Sequence, residues 1–172
     1  ISTPWSTRDQ RGLEPTRDID TGSYVPVFSS ASWDEEISVL PVVSPESSYR
    51  NIHRLIREAR HFIYIMMPYM TTDDTVITKL IDELERAVNR GVMVHVILDN
   101  STSSYDATKS TLEAKGIRVV GINPPFKFVH AKLIMIDDKI VIVSSVNWSE
   151  NSMTRNREAG IAVKSINITR YY

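Results

Sequence analysis

From Ile37 onward, apolar residues recur with spacings that alternate between those of strands and those of helices. A short strand is predicted over residues 37–43, and Ser44 followed by Pro45 is typical of a helix start. Apolar residues at three- and four-residue spacing continue that helix to about residue 60. The apolar run 62–67 then predicts a buried strand.

A second helix is predicted between Thr72, which can cap its start, and Gly91, which ends it. Strands are predicted over 92–98 and 117–120, with a weaker helix over 107–114 between them. Strands that alternate with helices favour a mostly parallel sheet that is covered on both faces.

The order of elements changes in the last third of the chain. Two apolar runs, 129–136 and 139–144, are separated by little more than Asp137 and Asp138, which indicates a hairpin. A last strand is predicted over 158–163, and we expect no helix to cover it within this chain. The predicted fold class is therefore α/β, with a mixed, mostly parallel β-sheet flanked by helices on both faces.

The N-terminal part of the chain has a different composition. Residues 1–46 carry three arginines against eight acidic residues, and Pro, Ser and Thr are scattered through the first 33 without a helical or alternating period. We predict an acidic arm or linker over residues 1–36 and a globular domain over 37–172. A flexible linker and an ordered, strand-bearing arm both fit the pattern. Because the first residue is Ile1 rather than Met, we expect a piece of a longer product.

Composition narrows the possible functions. Hydrophobic residues make up 42% of the chain, which excludes wholesale disorder, and the net charge of −1 gives no global attraction to nucleic acid or anionic membranes. The absence of cysteine excludes disulfides, thiolate zinc sites and a cysteine nucleophile. No apolar run approaches the roughly 18 residues that span a bilayer, and we expect neither a transmembrane segment nor a signal peptide.

A histidine and a lysine are the first candidates for chemistry. Period two over 129–136 puts His130 and Lys132 on the same face of the predicted strand. A lysine directed to the inner side of such an apolar run needs an anion to offset its desolvation, and a phosphate would satisfy both residues. The alternative is an edge strand on which both side chains face water.

Further polar residues complete a recognisable pattern. His130-x-Lys132 with Asp137, then Ser144-Ser145-x-Asn147, then Asn156-Arg157-Glu158, resembles the signature of the phospholipase D superfamily, which reads His-x-Lys-x-x-x-x-Asp, Gly-Ser-x-Asn and Asn-x-Glu. The resemblance runs from about Ile37 to Val163. One position departs from it, since Ser144 stands where the family usually has glycine. Serine costs little there if its φ stays negative, but it could weaken binding if glycine lets the backbone approach a phosphate.

The resemblance implies a two-step displacement at a phosphodiester, without a metal or any other cofactor. His130 would form a phosphohistidine, while Lys132, Asn147 and Ser145 hold the phosphate oxygens. Glu158 would hydrogen-bond a catalytic histidine and fix its tautomer. Asp137, the remaining residue of the catalytic motif, would orient the structure at the end of the strand.

The resemblance also implies a second histidine, which protonates the leaving group and later activates water. His53, His61 and His95 lack a lysine partner in phase, and we expect each to be structural. Because the family's active site lies between two motif-bearing lobes, we expect a second lobe. It would come from a homodimer mate or from another part of a longer chain.

Three functions remain open. The first is a phospholipase D-like phosphodiesterase acting on a phospholipid by hydrolysis or transfer; Phe126 and Phe128 could form an apolar lip beside His130. The second is an endonuclease of the same superfamily acting on DNA or RNA. The near-neutral net charge argues against this function. The third is a phosphate-binding or dimerising lobe that has lost catalysis. We favour the first, narrowly over the nuclease.

Overall fold

The computed structural model describes residues 31–123 and 126–172, and its compact unit runs from Trp33 to Tyr172. Most of the predicted arm, residues 1–30, lies outside the described part. Residues 33–36 are exposed and form neither helix nor strand.

The described residues form seven strands and five helices. The strands are β1 (Ser38–Pro41), β2 (Phe62–Met67), β3 (Met93–Leu98), β4 (Arg118–Gly121), β5 (Leu133–Ile136), β6 (Ile140–Ser144) and β7 (Gly160–Lys164). The helices are α1 (Ser48–Glu58), α2 (Thr75–Asn89), α3 (Tyr105–Glu113), α4 (Glu150–Thr154) and α5 (Ile166–Tyr171).

All seven strands join one sheet in the order β1-β7-β6-β5-β2-β3-β4. Neighbours β2, β3 and β4 are parallel, and the other neighbouring pairs are antiparallel, so that β5 and β7 run opposite to the other five strands. The predicted mixed sheet flanked by helices is confirmed, but the expectation that it is mostly parallel is wrong for its pairing, because only two of the six neighbouring pairs of described strands are parallel. Because β5 lies between β2 and β6, the alternative of an edge strand is wrong.

The core lies between the sheet and the layer of α1 and α2. Ile63, Ile65 and Met67 of β2 are buried and alternate with half-buried residues, as the period of a strand requires. Ile77 and Leu80 of α2 are fully buried in the same core. Each such side chain stabilises the fold by about 1.5–3 kcal/mol, so this layer fixes the central strands.

The structure corrects one expectation near the C-terminus and adds a helix for which nothing was predicted. Helix α5 packs against β6 and β7 although no covering helix was expected, and α4 lies between the predicted hairpin and the last predicted strand. Both helices are too short to show a helical period. Their starts are fixed by caps, because Ser149 Oγ accepts a hydrogen bond from Ser152 N and Ser165 Oγ accepts one from Ile168 N. No helix among the described residues is long and apolar enough to span a bilayer.

Candidate active site

His130 and Lys132 precede β5 rather than lying within it, because the strand begins at Leu133 and is shorter than the predicted 129–136. The extended pairing reaches Lys132, whose carbonyl accepts a hydrogen bond from Ser144 N at 3.2 Å. Lys132 is 6% exposed, whereas His130 is exposed. The lysine therefore points inward at the end of the strand, and the imidazole stays accessible.

Most of the predicted site residues line one open cavity of about 460 Å³. Its lining consists of His130, Lys132, Ser144, Ser145, Asn147 and Glu158. These residues come from the segment before β5, the end of β6 with the segment that follows it, and the segment before β7, which the antiparallel pairing of the three strands brings together. An accessible imidazole, a cation, hydroxyl and amide groups, and a carboxylate thus lie around one cavity.

Lys132 is the cation of this cavity. Its Nζ donates a hydrogen bond to the His130 carbonyl oxygen at 2.7 Å. Burial lowers the pKa of the Lys132 ammonium group, and the negative charge of Glu158 acts in the opposite direction. A phosphate entering the cavity would add a second negative charge and favour the protonated lysine further.

Glu158 is the carboxylate of the cavity, and three side chains hold it. Oε2 accepts from Ser145 Oγ, while Oε1 accepts from Ser152 Oγ at 2.9 Å and Asn156 Nδ2 at 3.1 Å. Burial opposes its charge, but these hydrogen bonds and the charge of Lys132 keep the pKa of Glu158 below its ordinary value. None of its hydrogen bonds in the described part joins it to His130, so its action on a histidine stays a prediction.

Asn147 connects the cavity to α4. Its backbone N–H donates to Ser152 Oγ at 2.9 Å, and its side-chain Oδ1 is buried without a hydrogen-bond partner in the described part of the chain. Ser152 thereby supports both Asn147 and Glu158. Sequence reasoning missed Ser152. The signal that could have found it is Ser149, because a serine cap predicts a helical turn, which places Ser152 beside the cap.

The serine that replaces the family's glycine is accommodated by the neighbouring strand. Ser144 pairs with Gly160 of β7, and a Cβ atom added to Gly160 would lie 2.2 Å from the Ser144 Cβ. Among described non-glycine residues, only Asp137 and Asp138 have positive φ, so Ser144 carries no such strain. Serine at position 144 therefore requires glycine at position 160 of the neighbouring strand.

Asp137 lies at the other end of β5, outside the cavity. Its carboxylate accepts hydrogen bonds from the backbone N–H groups of Arg60, His61 and Phe62 at 2.7–3.0 Å. Burial opposes its charge, but these bonds keep the pKa of Asp137 below its ordinary value. The aspartate of the motif thus connects the β5–β6 turn to the start of β2, and the structure does not bring it together with the other site residues.

The remaining histidines line no part of the cavity. His53 Nε2 lies 3.8 Å from a carboxylate oxygen of Glu83, and the His95 ring packs against Tyr64. Burial, together with the charge of Arg118, lowers the pKa of His95. The described ranges also contain no group of three His, Asp or Glu side chains placed to hold a metal ion.

Comparison with known proteins places the chain in a family. A family model described as "Cardiolipin synthase, PLD-like domain" matches residues 52–172. The chain belongs to the phospholipase D superfamily. Within it, cardiolipin synthase B of Salmonella typhimurium is 28% identical over an alignment 134 residues long, which covers 71% of this chain and 32% of that protein. The chain thus spans about a third of the length of that relative.

Other members of the phospholipase D superfamily match a larger share of their own length. The phospholipase D of Rickettsia prowazekii is 31% identical over 129 residues, covering 74% of this chain and 60% of that protein. The crystal structure of Nuc, a phospholipase D family member from Salmonella typhimurium, aligns with a TM-score of 0.68 at 24% identity, covering 78% of this chain and 88% of Nuc. This last similarity supports the fold.

Proposed function

We propose that this chain is a catalytic lobe of a phosphodiesterase that works through a phosphohistidine on His130, without a metal. The supporting observation is the single cavity in which an accessible imidazole lies with a buried lysine, an asparagine and a carboxylate. A tetrahedral phosphate needs such donors around it while its negative charge is redistributed.

In the first step, an imidazole nitrogen of His130 attacks phosphorus, the nitrogen–phosphorus bond forms, and the bond from phosphorus to the leaving oxygen breaks. Lys132 and Asn147, with the Ser145 hydroxyl, stabilise the charge on the non-bridging oxygens. A second histidine gives its proton to the leaving alcohol. The products of this step are the free alcohol and a phosphohistidine.

In the second step, the second histidine takes a proton from water, and the water oxygen attacks phosphorus. The nitrogen–phosphorus bond breaks, which regenerates His130 and releases a phosphomonoester. An alcohol in place of water gives a new diester by the same sequence. Hydrolysis and transfer therefore differ only in which hydroxyl reaches the intermediate.

The second histidine comes from an opposing lobe in this proposal. None of the other described histidines lines the cavity, and the chain spans about a third of the related cardiolipin synthase B. A homodimer mate and another region of a longer protein would both supply an equivalent lobe.

A phospholipid is the substrate that the surroundings of the cavity favour. Phe126 and Phe128 are 52% and 57% exposed, flank exposed Lys127 and lie shortly before His130 in the chain. Exposed aromatic rings beside a cation suit the boundary between lipid headgroups and acyl chains. Two arginines that could bind nucleic acid are instead near acids: Arg157 pairs with Glu46, and Arg155 lies 3.8 Å from Glu150.

A nucleic acid is the second candidate substrate. The exposed Phe128 ring stacks on the His130 ring, with centroids 5.7 Å apart. Exposed aromatic rings can also stack on unpaired bases. If the chain acts as a nuclease, we therefore expect it to cleave single-stranded DNA or RNA.

The phosphohistidine can be trapped with bis(p-nitrophenyl) phosphate. Because its leaving group departs as a stable phenolate and needs no proton, the first step can proceed without the opposing lobe. We expect the chain, in EDTA, to gain the mass of one p-nitrophenyl phosphoryl group on the peptide that contains His130. Absence of the adduct would favour the catalytically inactive, phosphate-binding lobe, and loss on chelation that a divalent ion restores would contradict the metal-free mechanism.

Replacement of Phe126 with alanine tests the lipid substrate. We expect binding to anionic phospholipid vesicles to fall about tenfold, because truncation removes apolar area that would enter the interface. Vesicle sedimentation measures the binding. Ile166→Ala is the matched control, since Ile166 is 50% exposed on α5. Equal effects of both variants, or preferential binding of single-stranded DNA by the wild type, would contradict the lipid assignment.

A further inference from the structure

Asp99 is a fully buried carboxylate at the end of β3 that the proposed reaction does not use. It accepts three hydrogen bonds. Oδ1 accepts from Ser101 N at 2.8 Å and Ser101 Oγ at 2.6 Å, and Oδ2 accepts from Val129 N at 2.9 Å. The bond to Val129 joins positions 30 residues apart in sequence and links the end of β3 to the segment that carries His130.

This bond lies one residue from the proposed nucleophile. Val129 is 8% exposed and directly precedes His130, whose carbonyl accepts the hydrogen bond from Lys132 Nζ. Segment 129–132 precedes β5 and lacks the regular ladder of a strand. The backbone that carries both the imidazole and the lysine is thus held at one end by Asp99 and at the other by β5.

We propose that Asp99 is a positioning residue for the phosphodiesterase, which holds the segment 129–132 so that His130 lies in line with the bound phosphorus. The assignment rests on the proposed function of His130. Reacting atoms must approach within about 3–3.5 Å in the correct direction, and a misplacement of about 1 Å can cost 10²-fold in rate. Asp99 has no place in the cavity lining and acts through the backbone of Val129.

A carboxylate suits this position better than its amide. Both oxygens of Asp99 face donors, Ser101 on one side and Val129 on the other. An asparagine has one accepting oxygen, so its NH₂ group would oppose an N–H donor on one of the two sides. Hydrogen bonds to the Ser101 side chain and to the backbone keep the pKa of Asp99 below its ordinary value despite burial. We therefore expect the effect of Asp99→Asn to be uniform from pH 6 to pH 8, about two units or more above the ordinary aspartate value.

The test compares Asp99→Asn with Ser101→Ala in the full chain. Ser101→Ala removes the hydroxyl bond to Oδ1 and leaves the Val129 bond intact, which makes it the matched control. The readouts are the rate constant and half-saturating concentration for adduct formation with bis(p-nitrophenyl) phosphate, at a temperature where thermal melting shows both variants to be folded. The ring chemical shifts of His130 and hydrogen exchange of the Val129 amide report the geometry directly.

We expect Asp99→Asn to form the adduct about 10- to 100-fold more slowly, with half-saturation changed less than about threefold. Its Val129 amide should lose protection, and its His130 ring signals should shift. Ser101→Ala should keep the wild-type rate within about threefold and leave the His130 signals in place. Equal losses in both variants would indicate a merely structural role and overturn the assignment, as would a wild-type rate in Asp99→Asn.

Two further outcomes separate this inference from the proposed function. A wild-type chain that forms no adduct contradicts the proposed function, and with it the assignment of a positioning role. A wild-type chain that forms the adduct but exchanges the Val129 amide as fast as an exposed amide supports the function and overturns the inference. This measurement needs no variant, so the inference stays testable if Asp99→Asn does not fold.

Discussion

Replacing His130 with asparagine will abolish release of p-nitrophenolate from bis(p-nitrophenyl) phosphate, a loss in rate of about 10⁴-fold or more, because the variant lacks the nitrogen nucleophile. Asparagine keeps part of the size and hydrogen bonding of histidine. His130 is exposed, so its replacement leaves the core unchanged. Release of p-nitrophenolate measures the rate, and a thermal melt confirms that the variant is folded.

The matched control is His61→Asn. His61 is also exposed, and it contributes its backbone N–H, not its side chain, to the hydrogen bond with Asp137. This variant should keep the wild-type rate within about twofold, because surface substitutions of this kind have small effects. Release of p-nitrophenolate by His130→Asn at the wild-type rate would rule out His130 as the nucleophile.

The sequence predicted the central layers of the fold well because their signals are local. Strand β2 has the predicted bounds, since a continuous apolar run ends at Pro68, which cannot donate to a sheet. Helix α2 follows its apolar period closely, although Asp74 takes the N-terminal cap position that was predicted for Thr72. In both elements, the pattern of apolar residues and the residue that ends the element predict the same bounds.

The same proline explains why β5 is shorter than predicted. Strand β5 pairs with β2 from Ile136 to Leu133, opposite Ile63 to Met66. If this register continued, Lys132 would lie opposite the last residue of β2, and Ala131 would lie opposite Pro68. Pro68 has no backbone N–H to donate, so the ladder ends there. His130 and Lys132 therefore lie just beyond the sheet, which the apolar pattern of 129–136 does not reveal.

The candidate site could be predicted as far as its residues form a motif. His130, Lys132, Asn147 and Glu158 belong to the pattern and line one cavity. Asp99 could not be assigned from the sequence, because its partner Val129 is 30 positions away and is reached only through the packing of β3 beside the loop. Supporting residues of this kind depend on tertiary structure rather than on spacing.

The second large effect concerns the number of lobes at the active site. With an ordinary phospholipid, whose alkoxide leaving group needs a proton, we expect this chain to turn over only when another motif lies opposite His130. If the partner is a second copy, each active site contains His130 of both chains. Sedimentation should then show a dimer. If the partner is instead another region of a longer protein, this chain should be weakly active or inactive and should gain activity when the other lobe is added.

Mixing His130→Asn with wild type distinguishes these arrangements. In a twofold dimer with random exchange, an equal mixture contains about a quarter wild-type dimers. Heterodimers lack either the nucleophile or the proton donor at the shared site, so phospholipid turnover should fall to about a quarter and not to half. Adduct formation with bis(p-nitrophenyl) phosphate needs only one histidine and should fall in proportion to the wild-type fraction. A monomer that turns over phospholipid at full rate, with activity linear in the wild-type fraction, would refute the requirement for an opposing lobe, because one histidine would then serve both steps.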